Sequence, residues 1–150
     1  MLTDGLKRQF DHAFAVLHSA IASFRPDAWQ AGSPPFNGPA RAAAHVLQAA
    51  EFYACEDRAV FLNLGKKVWE LSPQELPTQE AMLRYLGEAK RKTLSWIDSL
   101  GDAGLTAPWK GDQAVTMLER LAYALRHLQH HTGELCAYQK QNGMEPAPWQ

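Results

Sequence analysis

Apolar residues recur at helical spacing through four long stretches, and segments rich in proline, glycine and polar residues separate them. Leu6, Phe10, Ala13, Phe14, Leu17, Ile21 and Phe24 predict a first helix over residues 3 to 25, with Thr3 as its N-cap. Arg25 to Pro39 carries four prolines together with Gly32 and Gly38. It reads as a loop whose Trp29 and Phe36 fold over the core. Asn37 is placed to cap a second helix from about Gly38 to Leu64, with Pro39 tolerated in its first turn. Alanines lie on nearly every side of that helix through Ala50, which suits close packing at a bundle's centre. Gly65 to Pro77 is a connection, and Ser72-Pro73-Gln74-Glu75 within it has the form of a short capped turn. Thr78 caps a third helix running to about Leu100. Its stripe is Met82, Leu83, Leu86, Ala89, Leu94, Trp96 and Ile97, and Gly101 and Gly104 end it. GDAGLTAPWKGDQAV is a second long loop, carrying Trp109. No stretch reads as a strand.

The fourth helix, Thr116 to Gly143, organises the rest. Thr116 and Glu119 form a capping box, Gly143 suits a left-handed stop, and Pro146 and Pro148 prevent continuation. Met117, Leu118, Leu121, Leu125, Leu128, Thr132 and Leu135 make its core stripe. His127 and His131 stand together on the edge of that stripe, beside Ala124 and Tyr138. His130 points away, near Glu119 and Arg126, into solvent. Four helices with long connections predict an all-α four-helix bundle, a single domain over residues 1–150.

Composition sharpens this picture in a few places. The chain is 46% apolar, enough to fill a core, and its net charge is −1 with the two signs interspersed. No basic footprint for nucleic acid or anionic lipid results. No apolar run reaches the ~20 residues needed to span a bilayer, and MLTDGLKRQF lacks the layout of a signal peptide. The expected setting is cytoplasmic. Cys55 and Cys136 match no metal or redox spacing. They read as buried free thiols, with an inter-helix disulfide as the alternative.

The candidate chemistry is imidazole. His127 and His131 at i and i+4 can share one metal ion. His45, in AAAHVLQAAEFY, supplies a third ring on the second helix; taken in isolation it reads as a core histidine bonded to a carbonyl. Three neutral imidazoles bind a divalent first-row metal and leave a coordination position open, the layout of a catalytic rather than a structural site. Glu134 lies on the same face and is the candidate partner for a second ring nitrogen. Arg120 and Tyr138 project on this side as candidate pocket residues. No ExxH pair, HExxH, GxSxG, Walker loop or Rossmann fingerprint is present.

AAAHVLQAAEFY, HLQHHTGEL and the closing QNGMEPAPW together resemble the DinB/YfiT-like superfamily over nearly the whole length. That resemblance implies an up-down-down-up bundle, commonly a homodimer, with a metal triad at His45, His127 and His131 and no role for His130. It implies Zn²⁺, Ni²⁺, Mn²⁺ or Fe²⁺ as cofactor. It also implies a transferase or isomerase activity in which a low-molecular-weight thiol attacks an electrophilic small molecule. Glu134 stands where a glutamine is common in the family. Water activated for hydrolysis is chemically as feasible as a thiol. The rival class is a non-enzymatic dimeric binding or stress-response protein whose metal site is structural or vestigial. No individual catalytic residue is assigned.

Overall fold

A computed structural model describes residues 1–30, 38–54 and 64–149. Four long helices form the bundle: α1 (Leu2–Ala22), α3 (Pro39–Tyr53), α4 (Gln79–Thr106) and α5 (Met117–Gln141), with a single turn of helix, α2 (Pro26–Trp29), after the first. Their hydrogen bonds fix the directions. Asp102 near the end of α4 accepts from the start of α1 at Thr3, while Gln79 at the start of α4 donates to Ile21 and Phe24 carbonyls at the end of α1. These two helices are therefore antiparallel. Gln139, late in α5, donates to the Ala20 carbonyl late in α1, so α5 runs parallel to α1. Arg120, early in α5, donates to the Phe52 carbonyl late in α3, so α3 runs the other way. The order is up-down-down-up, as the DinB/YfiT-like resemblance implied. The two most extensive contacts join helices that are not consecutive, α1 with α4 and α3 with α5. The long connections exist to make those crossings.

The alanine-rich stretch does what its composition suggested. Ala40, Ala42, Ala43, Ala44, Val46 and Leu47 are all buried, and α3 lies close against its neighbours. Phe10, Phe14, Leu17 and Ile21 of α1 are buried as well and supply the large side chains of the core. The connection after α3 is pinned by buried Gln48, which accepts from the Val68 amide at 2.9 Å and donates to the Lys66 carbonyl at 2.6 Å.

Several boundaries differ from the sequence reading. Thr3 is inside α1, not its cap. Its amide and hydroxyl donate to Asp102 at 2.9 and 2.6 Å, and a carboxylate from another helix satisfies the exposed first turn. The same bonds hold the Asp102 carboxyl down to about 2, the Thr3 hydroxyl contributing most. Trp29 lies in α2 rather than in a loop, is buried, and donates to the Pro77 carbonyl at 3.0 Å. Phe36, Asn37 and Cys55 fall outside the described residues. The second helix runs over Pro39–Tyr53 with Ala54 at its C-cap; residues 55–63 of its expected span to Leu64 lie outside the described residues. Ser72 is the N-cap residue of its short turn, and Glu75 accepts from its amide at 2.8 Å. Thr78 caps α4, accepting from the Ala81 amide at 3.2 Å.

Gly101 breaks α4 at the expected place, with non-helical φ and ψ. At φ +58° it adopts a conformation that L side chains rarely take, and one further helical segment follows to Thr106. The second predicted loop contains a hairpin, contrary to the strand-free reading: β1 (Pro108–Trp109) pairs antiparallel with β2 (Asp112–Thr116). A strand of two residues paired with one of five, exposed over its first three, carries too little alternation to register in a sequence. Its turn requires Gly111, because a Cβ there would stand 2.2 Å from the Trp109 ring.

Candidate metal centre and its pocket

The Thr116 cap sets the register of α5. Its hydroxyl accepts from the Glu119 amide at 3.2 Å, and the Glu119 carboxylate accepts from the Thr116 amide at 2.8 Å. Eleven and fifteen residues on, His127 and His131 face α3. His45 meets them from the alanine-rich helix, whose small neighbours let an imidazole enter a close helix pair. One ring nitrogen from each residue lies within 4.8 Å of the others. Ring centroids are 5.1 Å apart for His45–His127, 4.7 Å for His45–His131 and 4.4 Å for His127–His131. The three residues proposed from sequence are thus brought together by two antiparallel helices.

The donor set fits a divalent cation. Two nitrogens bound tetrahedrally to one zinc at its usual bond length stand about 3.3 Å apart; the His127 and His131 Nε2 atoms are 3.2 Å apart. Glu134 accepts from His131 Nδ1 at 2.6 Å, which leaves the Nε2 lone pair of that ring aimed at the cluster. No carbonyl or carboxylate among the described residues hydrogen-bonds the His45 ring, so the carbonyl-bonded core histidine is not what forms. Burial first, and the neighbouring His131 second, lower the pKa of both His45 and His127, the latter to about 4. Both rings are accordingly neutral at pH 7, the form that donates to a metal.

His130 is exposed, as expected, and Glu134 lies 3.4 Å from it. With His131 and Glu134 it makes a second, more open group of possible ligands. That group would use the carboxylate already bonded to His131 Nδ1, so the half-buried triad is the better-built centre.

A profile of the DinB superfamily matches residues 9–135, a span that contains all three histidines. The chain belongs to the DinB superfamily. Among solved structures it is similar to a conserved protein from Enterococcus faecalis, with 15% identity, a TM-score of 0.68, and coverage of 92% of this chain and 95% of that one. This second likeness shows the fold alone. No curated protein matches. No helix among the described residues is long and apolar enough to cross a membrane.

In this DinB protein a cavity of about 700 Å³ opens beside the triad, lined by Phe52, Tyr53, Trp109, Arg120, Tyr123 and Arg126 among others. Tyr123 stacks against His127 at 6.2 Å and Tyr53 lies 6.5 Å from it, so the two tyrosines form the wall between cavity and imidazoles. Arg120 lines the cavity, as the sequence suggested. Its guanidinium is sandwiched against Trp109 at 4.1 Å, Tyr53 at 4.9 Å and Phe52 at 5.1 Å, and it donates to the Phe52 carbonyl at the C-terminal end of α3. Tyr138 does not line this cavity; it is half-buried, and burial followed by the charge of Glu134 raises its pKa. Tyr53, Trp109, Tyr123 and Arg126 were missed from sequence. Tyr123 was detectable, since it precedes His127 by four residues and must share its face.

Proposed function

We propose that this protein is a metal-dependent enzyme in which His45, His127 and His131 hold one divalent first-row ion, Zn²⁺, Ni²⁺, Mn²⁺ or Fe²⁺. The observation that carries the reading is the convergence of three imidazole nitrogens from facing helices, with Glu134 orienting one of them. When bound, such an ion favours the deprotonated form of a sulfur or oxygen ligand at its open position. The chain's own contributions are separate. Burial keeps His45 and His127 unprotonated, Glu134 fixes the tautomer of His131, and Tyr53 and Tyr123 screen the rings from the wide cavity while leaving it adjacent.

A low-molecular-weight thiol is the nucleophile we favour, attacking an electrophilic small molecule. The support for thiol over water is the resemblance to DinB/YfiT-like thiol-dependent enzymes. A cytoplasmic setting agrees with the free thiol of half-buried Cys136. The same resemblance supports a homodimer, for which sedimentation at micromolar concentration is the check. The activity itself is tested by thiol consumption in the presence of electrophiles, with metal-loaded protein, chelator-treated protein and His127→Ala. Turnover that requires both the metal and His127 is expected. Equal consumption in all three samples would remove the metal from the chemistry, and no consumption with any thiol would leave a binding protein.

A further inference from the structure

The triad accounts for a nucleophile but not for the cavity beside it. Four aromatic rings, Phe52, Tyr53, Trp109 and Tyr123, come from three separate elements to line one opening, with Val115 and Ala122 between them. A volume of about 700 Å³ lies within the range of small-molecule sites. The charges among the described lining residues are unequal: two guanidiniums, Arg120 and Arg126, and one carboxylate, Glu119. That carboxylate is committed to the helix cap, accepting from both the amide and the hydroxyl of Thr116 at 2.8 and 2.7 Å. Arg126 lies at the exposed edge over the Tyr123 ring, 5.1 Å from its centroid, and forms no ion pair among the described residues. A guanidinium held over an aromatic platform offers its N–H fork to a planar anion, and the rings offer a face to whatever carries that anion.

We infer that this cavity binds a small planar organic anion, a carboxylate conjugated to an unsaturated or aromatic body, with Arg126 receiving the carboxylate and Tyr123 and Trp109 holding the body. The inference deepens the functional reading and rests on it for the role of the bound molecule, the electrophile presented to the metal centre. Binding itself depends on the cavity residues alone. Gly111 belongs to the device as well, since only a residue without a side chain lets Trp109 fold back to form its wall.

The test is calorimetric titration of chelator-treated protein with trans-cinnamate and with its neutral counterpart, trans-cinnamamide. The proteins compared are the unsubstituted chain, Arg126→Gln, Tyr123→Ala, and a control, Arg91→Gln, on the exposed side of α4. One charge-assisted contact is expected to favour the acid over the amide about tenfold. Arg126→Gln should abolish that preference, Tyr123→Ala should weaken both ligands, and Arg91→Gln should change neither. Equal affinity for acid and amide, a preference that survives Arg126→Gln, or no binding at millimolar ligand would overturn the inference. Metal uptake is measured on untreated samples of the same proteins. Cinnamate binding in a chain that takes up no metal would uphold the cavity and sink the catalytic reading, so the two fail separately.

Discussion

The bundle has two unlike halves. Where α1 meets α4, the interior is filled by Phe10, Phe14, Leu17, Met82, Leu86 and Ile97, all buried. Ion pairs tie the outside together: Lys7 to Asp98 and Lys90 to Asp11, each at 2.6 Å. Where α3 meets α5, small alanines admit three imidazoles, a stacked guanidinium and an open cavity. The first half has a large apolar interior beneath an opening of about 440 Å³, and the second keeps polar atoms and the larger opening, of about 700 Å³, in defined places. Stability is expected to reside mostly in one and chemistry in the other, so substitutions should separate the two properties.

Phe14→Ala should have the largest effect. Phe14 is fully buried, and truncating such a side chain costs about 3–5 kcal/mol, seen as a lower urea midpoint, while the folded fraction still takes up metal. Loss of metal stoichiometry in that folded fraction would mean the halves are not separable. Next comes Glu134→Gln, which keeps the shape but removes the charge that holds His131. Metal affinity should fall about 10–100-fold by competition with a chelator, with an unchanged urea midpoint in metal-free protein. Unaltered affinity would show that Glu134 does not orient the ring.

A smaller effect is expected from pH. The folded chain holds His127 at about 4, against 6.5 for an unperturbed histidine, so between these values the unfolded state binds more protons. Stability of chelator-treated protein should therefore be level above pH 6.5 and decline as pH falls towards 4. His127→Gln should flatten that decline; an identical slope in the variant would mean that the ring is not held neutral by its site. Smallest is Lys7→Ala, at an exposed pair worth less than about 1 kcal/mol. A change in urea midpoint larger than that of Phe14→Ala would reverse the assignment of stability to the packed interior.

The two halves were also unequally legible in the sequence. The α1/α4 stripe and the Thr78 and Thr116 caps follow from spacing and local hydrogen bonding, which the sequence carries directly. His127 and His131 were legible because four residues is one turn, and their separation from exposed His130 followed from the same geometry. His45 joined them through composition and resemblance, since nothing local says which helix faces which. What stayed hidden depends on long-range partners. Thr3 looks like a cap until Asp102 arrives from another helix. Trp109 looks like a loop residue until a two-stranded turn folds it over Gly111 and onto Arg120. The cavity is a tertiary object with no periodicity of its own; of its lining the sequence pointed to Arg120, and Tyr123, one turn before His127, was open to the same helical reasoning.

The central claim is that the three histidines act together as one metal site. Titration of chelator-treated protein with Zn²⁺, with elemental analysis after gel filtration, tests it in the unsubstituted chain, in His127→Ala and in His130→Ala. The account predicts one ion per chain, retained in His130→Ala. In His127→Ala, affinity should fall by more than the about 10–100-fold that an outer partner contributes. Equal metal content in the unsubstituted chain and His127→Ala would contradict it.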